Sequence, residues 1–210
     1  MRFYYFGEFD SNGVSQYINQ GSTGSIFDPT ASSYLNQVNT FLPERKKLHH
    51  EHPEWLSDNC LDFIDNTEVS ITFVDEGAGY RNAIGYYIYP SDNPPNTIAN
   101  IQECYFIFPN CSKAGSGGNL HIGDTIRLPF AFTKNDKYIN PTNYVFPAGY
   151  SIGFILYPNG WNGDGVSQYI VPFTSCSSHN PETAPELKYH TACIVIPNTE
   201  RLLFSFEDIN

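Results

Sequence analysis

The sequence predicts an all-β protein, an antiparallel β-sandwich that is jelly-roll-like, with one short helix near residues 31–42. Aromatic residues make up 16% of the 210-residue chain, led by 16 Phe and 15 Tyr, and such residues favour strands. The 16 Gly and 15 Pro are spread along the whole chain, which indicates short strands joined by many turns. A chain of this length can bury a sizeable core, and we expect one domain.

Residues 1–34 are predicted to form an N-terminal strand and arm that belong to the same domain as residues 35–210. Residues 3–6 are an apolar, strand-like run. Residues 12–18 recur almost unchanged as residues 164–170, and both segments begin with a hairpin signal, Asn-Gly or Asp-Gly. We interpret them as two independent turns that each lead into a strand. A duplicated binding loop is the alternative.

The helix prediction rests on apolar residues that share one face between residues 31 and 42, where Ser32 or Ser33 could cap the helix and Pro43 ends it. From residue 67 onward, period-2 patterns and apolar runs predict one strand after another. The clearest runs are residues 69–74, 84–89, 101–108, 119–128, 150–157, 192–196 and 202–209.

A glycine-containing corner joins the strands predicted at residues 69–74 and 84–89. Gly77 and Gly79 flank Ala78 there, in a tight turn. The corner is either a solvated turn with an internal ion pair or a site for a metal or another ligand. Its polar side chains are Asp75, Glu76, Arg81 and Asn82.

A second polar loop follows the strand predicted at residues 150–157. It carries Asn159, Asn162 and Asp164 around Trp161, which we expect to be exposed. Such a loop can stack a sugar ring on the indole or coordinate an ion, although a plain glycine-rich turn explains the same composition.

The charge balance narrows the classes of partner. The 11 Lys and Arg against 22 Asp and Glu give a net charge of −11, which argues against nucleic acid and against anionic membranes. No stretch approaches the ~20 apolar residues of a membrane helix, and no signal peptide is visible after Met1. An acidic chain is compatible with divalent cations, with neutral sugars or simply with solubility, which is the simplest of the three interpretations.

The cysteines predict a reduced chain. They show neither a CxxC pair nor zinc-ligand spacing, and an odd number cannot form a complete set of disulfides in one chain. Several lie in strand-like runs, where free cysteine acts as a small apolar side chain. We therefore expect maturation in a reducing compartment. The five are Cys60, Cys104, Cys111, Cys176 and Cys193.

Residues 35–210 resemble the domain of unknown function family 4114. The matching pieces, in order, are LPE at 42–44, HPE at 52–54, TFVDEGAGYRN at 72–82, GYY at 85–87, IFPN at 107–110, GSGG at 115–118, GD at 123–124, IGF at 152–154, NGW at 159–161, HNPE at 179–182, HT at 190–191 and FEDIN at 206–210. The resemblance implies a β-rich module of bacterial cell-surface and secreted proteins, often found beside adhesin or calcium-binding repeats. It also implies calcium ligands at Glu207 and Asp208. The acids of the glycine-containing corner, Asp75 and Glu76, are two further predicted metal ligands.

We expect one of three functions. No catalytic residue is predicted, because GxSxG and Cys-His signatures are absent. The first is a non-enzymatic structural module that builds or decorates a surface assembly, such as a virus particle or an extracellular structure, through sheet edges and loops. Its partners would be protein subunits, including copies of itself. The second is a calcium-assisted carbohydrate-binding or adhesion module that uses the acids Asp75 and Glu76, or Glu207 and Asp208, with Trp161 as a stacking platform. Its further candidate ligand-binding residues are Arg81, Asn82, Asn159, Asn162 and Asp164. The third is a glycosidase-like enzyme with two facing carboxylates.

Overall fold

The computed structural model describes residues 1–19, 60–183, 187–195 and 200–206, and it confirms the all-β prediction. Within these ranges the chain forms strands and two short 3-10 helices, Ile98–Asn100 and Ser177–His179. The helix predicted near residues 31–42 lies outside the described residues. None of the described helices is long and apolar enough to cross a membrane.

The strands are short, as the many glycines and prolines predict. In chain order they are β1 Arg2–Phe6, β2 Leu61–Asp62, β3 Thr67–Thr72, β4 Ala83–Pro90, β5 Glu103–Phe108, β6 Thr125–Leu128, β7 Ala131–Asn135, β8 Tyr138–Asn143, β9 Val145–Phe146, β10 Tyr150–Tyr157, β11 Phe173–Thr174, β12 Thr191–Val195 and β13 Leu202–Phe206.

Eight strands form one large sheet in the order β11-β10-β4-β5-β1-β8-β7, with β2 also paired to β10. Strand β1 lies inside this sheet and runs parallel to both of its neighbours, β5 and β8, whereas the other pairs are antiparallel. The sheet is therefore mixed around β1. The placement of β1 makes the N-terminal strand part of the sandwich.

A three-stranded sheet, β6-β3-β9, lies over one face of the large sheet and completes a β-sandwich. The core between the two sheets is called the inter-sheet core here. It contains Phe6 and Tyr86 of the large sheet and Ile126, Leu128 and Phe146 of the small sheet. The hairpin of β12 and β13 forms a separate two-stranded sheet. It packs Phe204 against Phe154 of β10 at a ring separation of 5.1 Å.

The opposite face of the large sheet carries a second apolar cluster, called the outer core here. Because side chains alternate along a strand, Tyr4 and Phe6 of β1 enter the inter-sheet core while Tyr5 enters the outer core. The outer core is covered by loops, and Trp161 and Val166 in one of them belong to it. Both faces of the sheet are thus buried, which explains the aromatic content of the chain.

The cysteine prediction is wrong for one pair. Cys60 and Cys176 form a disulfide that joins the segment before β2 to the segment after β11. Cys104 and Cys111 are buried free thiols, and burial raises the pKa of both. Cys193 is a half-buried free thiol whose pKa burial raises to about 11. A spacing rule could not find the disulfide because its cysteines lie 116 residues apart.

Candidate functional site

The structure brings the two predicted polar loops together at one end of the large sheet. The amide of Asn159 donates to Asn82 Oδ1 at 2.8 Å, and the amide of Arg81 donates to Asn159 Oδ1 at 3.3 Å. The amide of Trp161 donates to the Arg81 carbonyl at 3.0 Å. Residues 81–82 and 159–161 are therefore one loop cluster, although they are far apart in the sequence.

Two of the predicted metal ligands are held by a lysine at the edge of this cluster. Lys113 Nζ lies 2.7 Å from Asp75 Oδ1, and the Lys113 amide donates to Glu76 Oε1 at 3.1 Å. This ion pair joins the corner to Lys113 of a separate segment, whereas the sequence suggested an ion pair within the corner itself. The other two predicted ligands, Glu207 and Asp208, lie outside the described residues.

Trp161 is buried, with 4% of its surface exposed, so the expectation of an exposed stacking ring is wrong. Its ring meets Phe9 edge-on at 5.3 Å. Gly13 also lies against the indole, since a Cβ at that position would be 3.4 Å from Trp161 Cε2. The indole therefore anchors the loop cluster to the N-terminal turn.

Asn162 and Asp164 lie in an exposed turn beside Trp161. Asn162 Oδ1 accepts from the amides of Asp164 and Gly165 at 3.2 and 3.0 Å. This arrangement is an Asx turn, in which a side-chain oxygen takes the place of a backbone acceptor. The amide oxygen of Asn162 is therefore used to shape the turn.

The similarity between residues 12–18 and residues 164–170 extends further in the structure than in the sequence. Extending the alignment by three residues pairs Phe9 with Trp161 and Asp10 with Asn162. Asp10 Oδ1 accepts from the amides of Asn12 and Val14, as Asn162 does from its own turn. We call residues 9–18 the first copy and residues 161–170 the second copy.

The two copies close their turns differently. In the first copy the Asp10 amide donates to the Val14 carbonyl, which closes a three-residue loop, with Gly13 at φ +80°. In the second copy the Asn162 amide donates to the Gly165 carbonyl, which closes a two-residue loop, with Gly163 at φ +106°. As a result Phe9 faces Ser15, whereas Trp161 faces Val166.

A register shift of one residue reverses which side chains face inward. Ser15 is buried in the first copy and Val166 is buried in the second, while Val14 and Ser167 are only half-buried. Val14 packs against the inter-sheet core, and Val166 belongs to the outer core.

The shift leaves the two equivalent tyrosines in different surroundings. Tyr17 is half-buried, and its hydroxyl donates to Asn140 Oδ1 at 3.2 Å. Tyr169 is 98% exposed, and Val171, two residues later, is 63% exposed. The second copy therefore presents an aromatic and an aliphatic side chain to solvent, and we call Tyr169 and Val171 the exposed loop pair.

Further apolar side chains are exposed toward the C-terminal end of the chain. Val195 and Leu202 are paired across the β12–β13 hairpin, and their exposed fractions are 66% and 41%. Leu187 is half exposed. Together with the exposed loop pair, these residues place large apolar side chains on the surface between residues 169 and 202.

Among the described strands, β7 forms one edge of the large sheet, and it carries a lysine. Lys134 of β7 contacts both Glu103 carboxylate oxygens, at 2.5 and 2.7 Å, and its Nζ lies 4.6 Å from the Tyr4 ring centroid. Burial would raise the pKa of Glu103, but hydrogen bonds from Lys134 and Tyr105 outweigh it and lower that pKa. A lysine on an edge strand discourages strand addition.

A concavity of about 440 Å³ lies beside β4 and the loop that follows it. Its rim carries exposed amide side chains, and Tyr89 and Tyr105 are among the aromatic residues that line it. Amides donate and accept hydrogen bonds at the same time, as sugar hydroxyls require. The rim amides are Asn93, Asn96, Asn100 and Gln102.

Comparison with known proteins supports the resemblance drawn from the sequence motifs. Residues 146–210 match the family model described as Domain of unknown function (DUF4114). The match bears out the resemblance for residues 146–210, the last part of the predicted range 35–210. The DUF4114 match begins at β9 and includes β10, the second copy and the β12–β13 hairpin. No curated protein and no solved structure matches the chain.

Proposed function

We propose that this chain is a non-catalytic interaction module that builds or decorates a surface assembly, on a virus particle or an extracellular structure, by contacting other protein subunits. Copies of the same chain are the first partners to test. The observation that carries the proposal is the exposed loop pair, because Tyr169 is almost fully exposed although the equivalent Tyr17 is packed.

The energetics of such a contact favour an aromatic anchor. Tyrosine supplies a large contact area with few rotatable bonds, and interface hot spots are enriched in Tyr and Trp. The exposed apolar pair of Val195 and Leu202 offers a second contact of the same kind. The loop cluster also supports the proposal, because its internal hydrogen bonds fix the position of the segment that leads into the second copy.

Light scattering at increasing protein concentration, with and without a calcium chelator, tests this proposal. We expect an assembly that resists the chelator and that Tyr169→Ser shifts toward the monomer without lowering the melting temperature. Tyr17→Ser is the matched control and should lower the melting temperature while the assembly persists. A wild-type chain that stays monomeric at all concentrations would contradict the proposal.

Carbohydrate binding is the second candidate, and the concavity beside β4 favours it. Trp161 is not available as the platform, but the rim amides and lining tyrosines offer polar and aromatic contacts to a neutral sugar. Calcium assistance at Asp75 and Glu76 stays part of this proposal. Binding of calcium there would require Lys113 to release Asp75.

Saturation-transfer NMR with a panel of neutral oligosaccharides tests the second candidate, with calcium present and with chelator. Binding should be reduced by Asn96→Ala and Asn100→Ala, which alter the rim, and should be unaffected by Gln168→Ala in the second copy. If the melting temperature does not change with millimolar calcium, the calcium part is wrong, because a ligand specific to the native state stabilises it.

A further inference from the structure

Three potential metal ligands converge beside the outer core. One donor atom each from Cys60, Cys176 and His179 lies within 4.8 Å of the other two. Cys176 and His179 are buried, and Cys60 is half-buried. Two sulfurs and one imidazole are a donor set typical of zinc. In the oxidised chain Cys60 and Cys176 are paired with each other, and the buried imidazole of His179 lies next to their sulfurs.

The scaffold around these donors is rigid. Cys176 and His179 flank the start and end of one 3-10 turn, in which the His179 amide donates to the Cys176 carbonyl at 3.0 Å. The Thr174 hydroxyl donates to that same carbonyl at 2.7 Å. Asn180 ties the turn down through Oδ1, which accepts from the Thr174 amide at 2.8 Å. Two of the three donors are therefore held in place by the local backbone.

An outer partner orients the histidine. Tyr87 Oη lies 2.7 Å from His179 Nδ1, and the two rings are tilted against each other at 5.9 Å. Tyr89 Oη lies 3.8 Å from Cys176 Sγ. A metal-ligating histidine commonly donates its other ring N–H to an outer residue, and Tyr87 Oη would accept from Nδ1 in this way when the other ring nitrogen of His179 binds the metal.

We propose that Cys60, Cys176 and His179 form a redox-gated binding site for zinc or a similar thiophilic divalent cation. A phosphine reductant and one water convert the disulfide into two thiols and leave the phosphine oxide. Zn²⁺ then binds both sulfurs and the imidazole and releases two protons, one from each thiol. A peroxide oxidant reverses this: hydrogen peroxide takes two electrons and two protons from the two thiols and leaves two waters and the disulfide, which removes both thiolate ligands and closes the site.

The geometry requires only a local change. Zn–S bonds of about 2.3 Å in a tetrahedral arrangement place two sulfurs roughly 3.8 Å apart. The Cα atoms of Cys60 and Cys176 are 4.9 Å apart in the oxidised chain. Rotation of the two cysteine side chains can therefore separate the sulfurs after reduction. Three protein ligands leave one tetrahedral position for a further ligand such as water.

Titration of the full chain with zinc chloride, after treatment with a phosphine reductant, tests the proposal. We expect one zinc per reduced chain and none per oxidised chain. Cys60→Ser and His179→Ala should each weaken binding at least ~100-fold. Tyr87→Phe should weaken it roughly tenfold, because outer partners of metal ligands typically contribute ~10–100-fold. The matched control, Cys193→Ser, should bind as the wild type does.

Cobalt provides a readout that does not depend on the variants folding. Co²⁺ bound to the reduced wild type should give the intense visible absorption of tetrahedral thiolate coordination, and zinc should displace it. A reduced chain that keeps its near-ultraviolet circular dichroism but binds neither ion would overturn the proposal. Reduction that unfolds the chain without recovery on adding zinc would also overturn it and would leave a purely structural disulfide.

Discussion

The first and second copies end in almost the same seven residues, yet these two heptapeptides pack against different cores of the large sheet. Val14 of the first copy lies against the inter-sheet core, and Val166 of the second copy is buried in the outer core. The difference arises from the turn, which holds three residues in one copy and two in the other. A change of one residue in a turn thus decides which side of a strand is buried.

The position of glycine in each turn explains the difference in turn length between the two copies. The second copy has Gly163 at the first position of a two-residue loop, where a positive φ is required in type II′ turns. The first copy has Ser11 at the aligned position, and it uses Gly13 for its positive φ instead. One substitution outside the shared heptapeptide is therefore sufficient to explain the change of register.

The largest expected effect comes from the glycines that the two copies share. Gly13→Ala should lower the free energy of unfolding by about 2–4 kcal/mol, because alanine is strained at φ +80° and its Cβ would be 2.9 Å from Asn110 Cβ. Gly165→Ala should cost less than about 1 kcal/mol, since its nearest neighbour would be Tyr5 Oη at 3.2 Å. Urea denaturation measures both, and equal losses would contradict the proposed difference between the turns.

Tyr5 contacts Phe9 of the first copy and the Val166 amide of the second. We expect it to make the stability of the chain depend on pH in alkaline solution. Burial raises its pKa to about 12, although the Val166 amide, which donates to Tyr5 Oη at 2.8 Å, partly offsets this. Because the pKa of Tyr5 is higher in the folded chain than in the unfolded chain, the protonated hydroxyl stabilises the fold. This stabilisation is complete below pH 10 and is lost as the pH rises toward 12. The loss amounts to about 2–3 kcal/mol.

Tyr5→Phe isolates that contribution. At pH 8 the variant should be less stable by about 1–3 kcal/mol, because the buried Val166 amide loses its acceptor. Between pH 10 and 12 its stability should fall less steeply than that of the wild type. Chemical denaturation across this pH range checks both slopes, and parallel curves for the two proteins would refute the assignment.

The paired valines test the register directly. Val166→Ala should destabilise the chain by about 2 kcal/mol, because the side chain is 7% exposed in the outer core. Val14→Ala should cost less than about 1 kcal/mol, since Val14 is only half-buried. Thermal unfolding of both variants gives the ranking, and similar losses at the two valines would contradict the one-residue difference in register.

The smallest effect is expected at the paired tyrosines. Tyr17→Phe should lower the free energy of unfolding by about 0.5 kcal/mol, because its hydrogen bond to Asn140 is exposed. Tyr169→Phe should leave stability unchanged, since the hydroxyl lies in solvent. Denaturation curves of the two variants, superimposed on the wild type, check this. A measurable loss at Tyr169 would mean that the second copy is packed after all.

Much of the sheet could be predicted from the sequence, because alternating apolar residues report burial on one face of a strand. The strand predicted at residues 150–157 matches β10, and those at residues 84–89 and 101–108 closely match β4 and β5. The parallel placement of β1 was not predicted, since no local pattern identifies the partner of a strand.

The candidate sites were predicted less well. The structure places Arg81 and Asn82 beside the loop after β10, a contact that the sequence did not predict, and it buries Trp161, which was expected to be exposed. An indole flanked by glycines in a polar loop looks exposed in a sequence. It is covered here by Phe9, which is 152 residues away in the chain. The functional roles of these residues stay predictions.

The sequence by itself determined the fold class, the local chemistry of the turns and the family resemblance, because each depends on residues that are close together in the chain. The tertiary structure alone decided which face each copy buries, which acid Lys113 holds, and that Cys60 meets Cys176 and His179. Those outcomes depend on contacts between distant segments. Such contacts form only when the sheet brings these segments together, and no local pattern encodes that geometry.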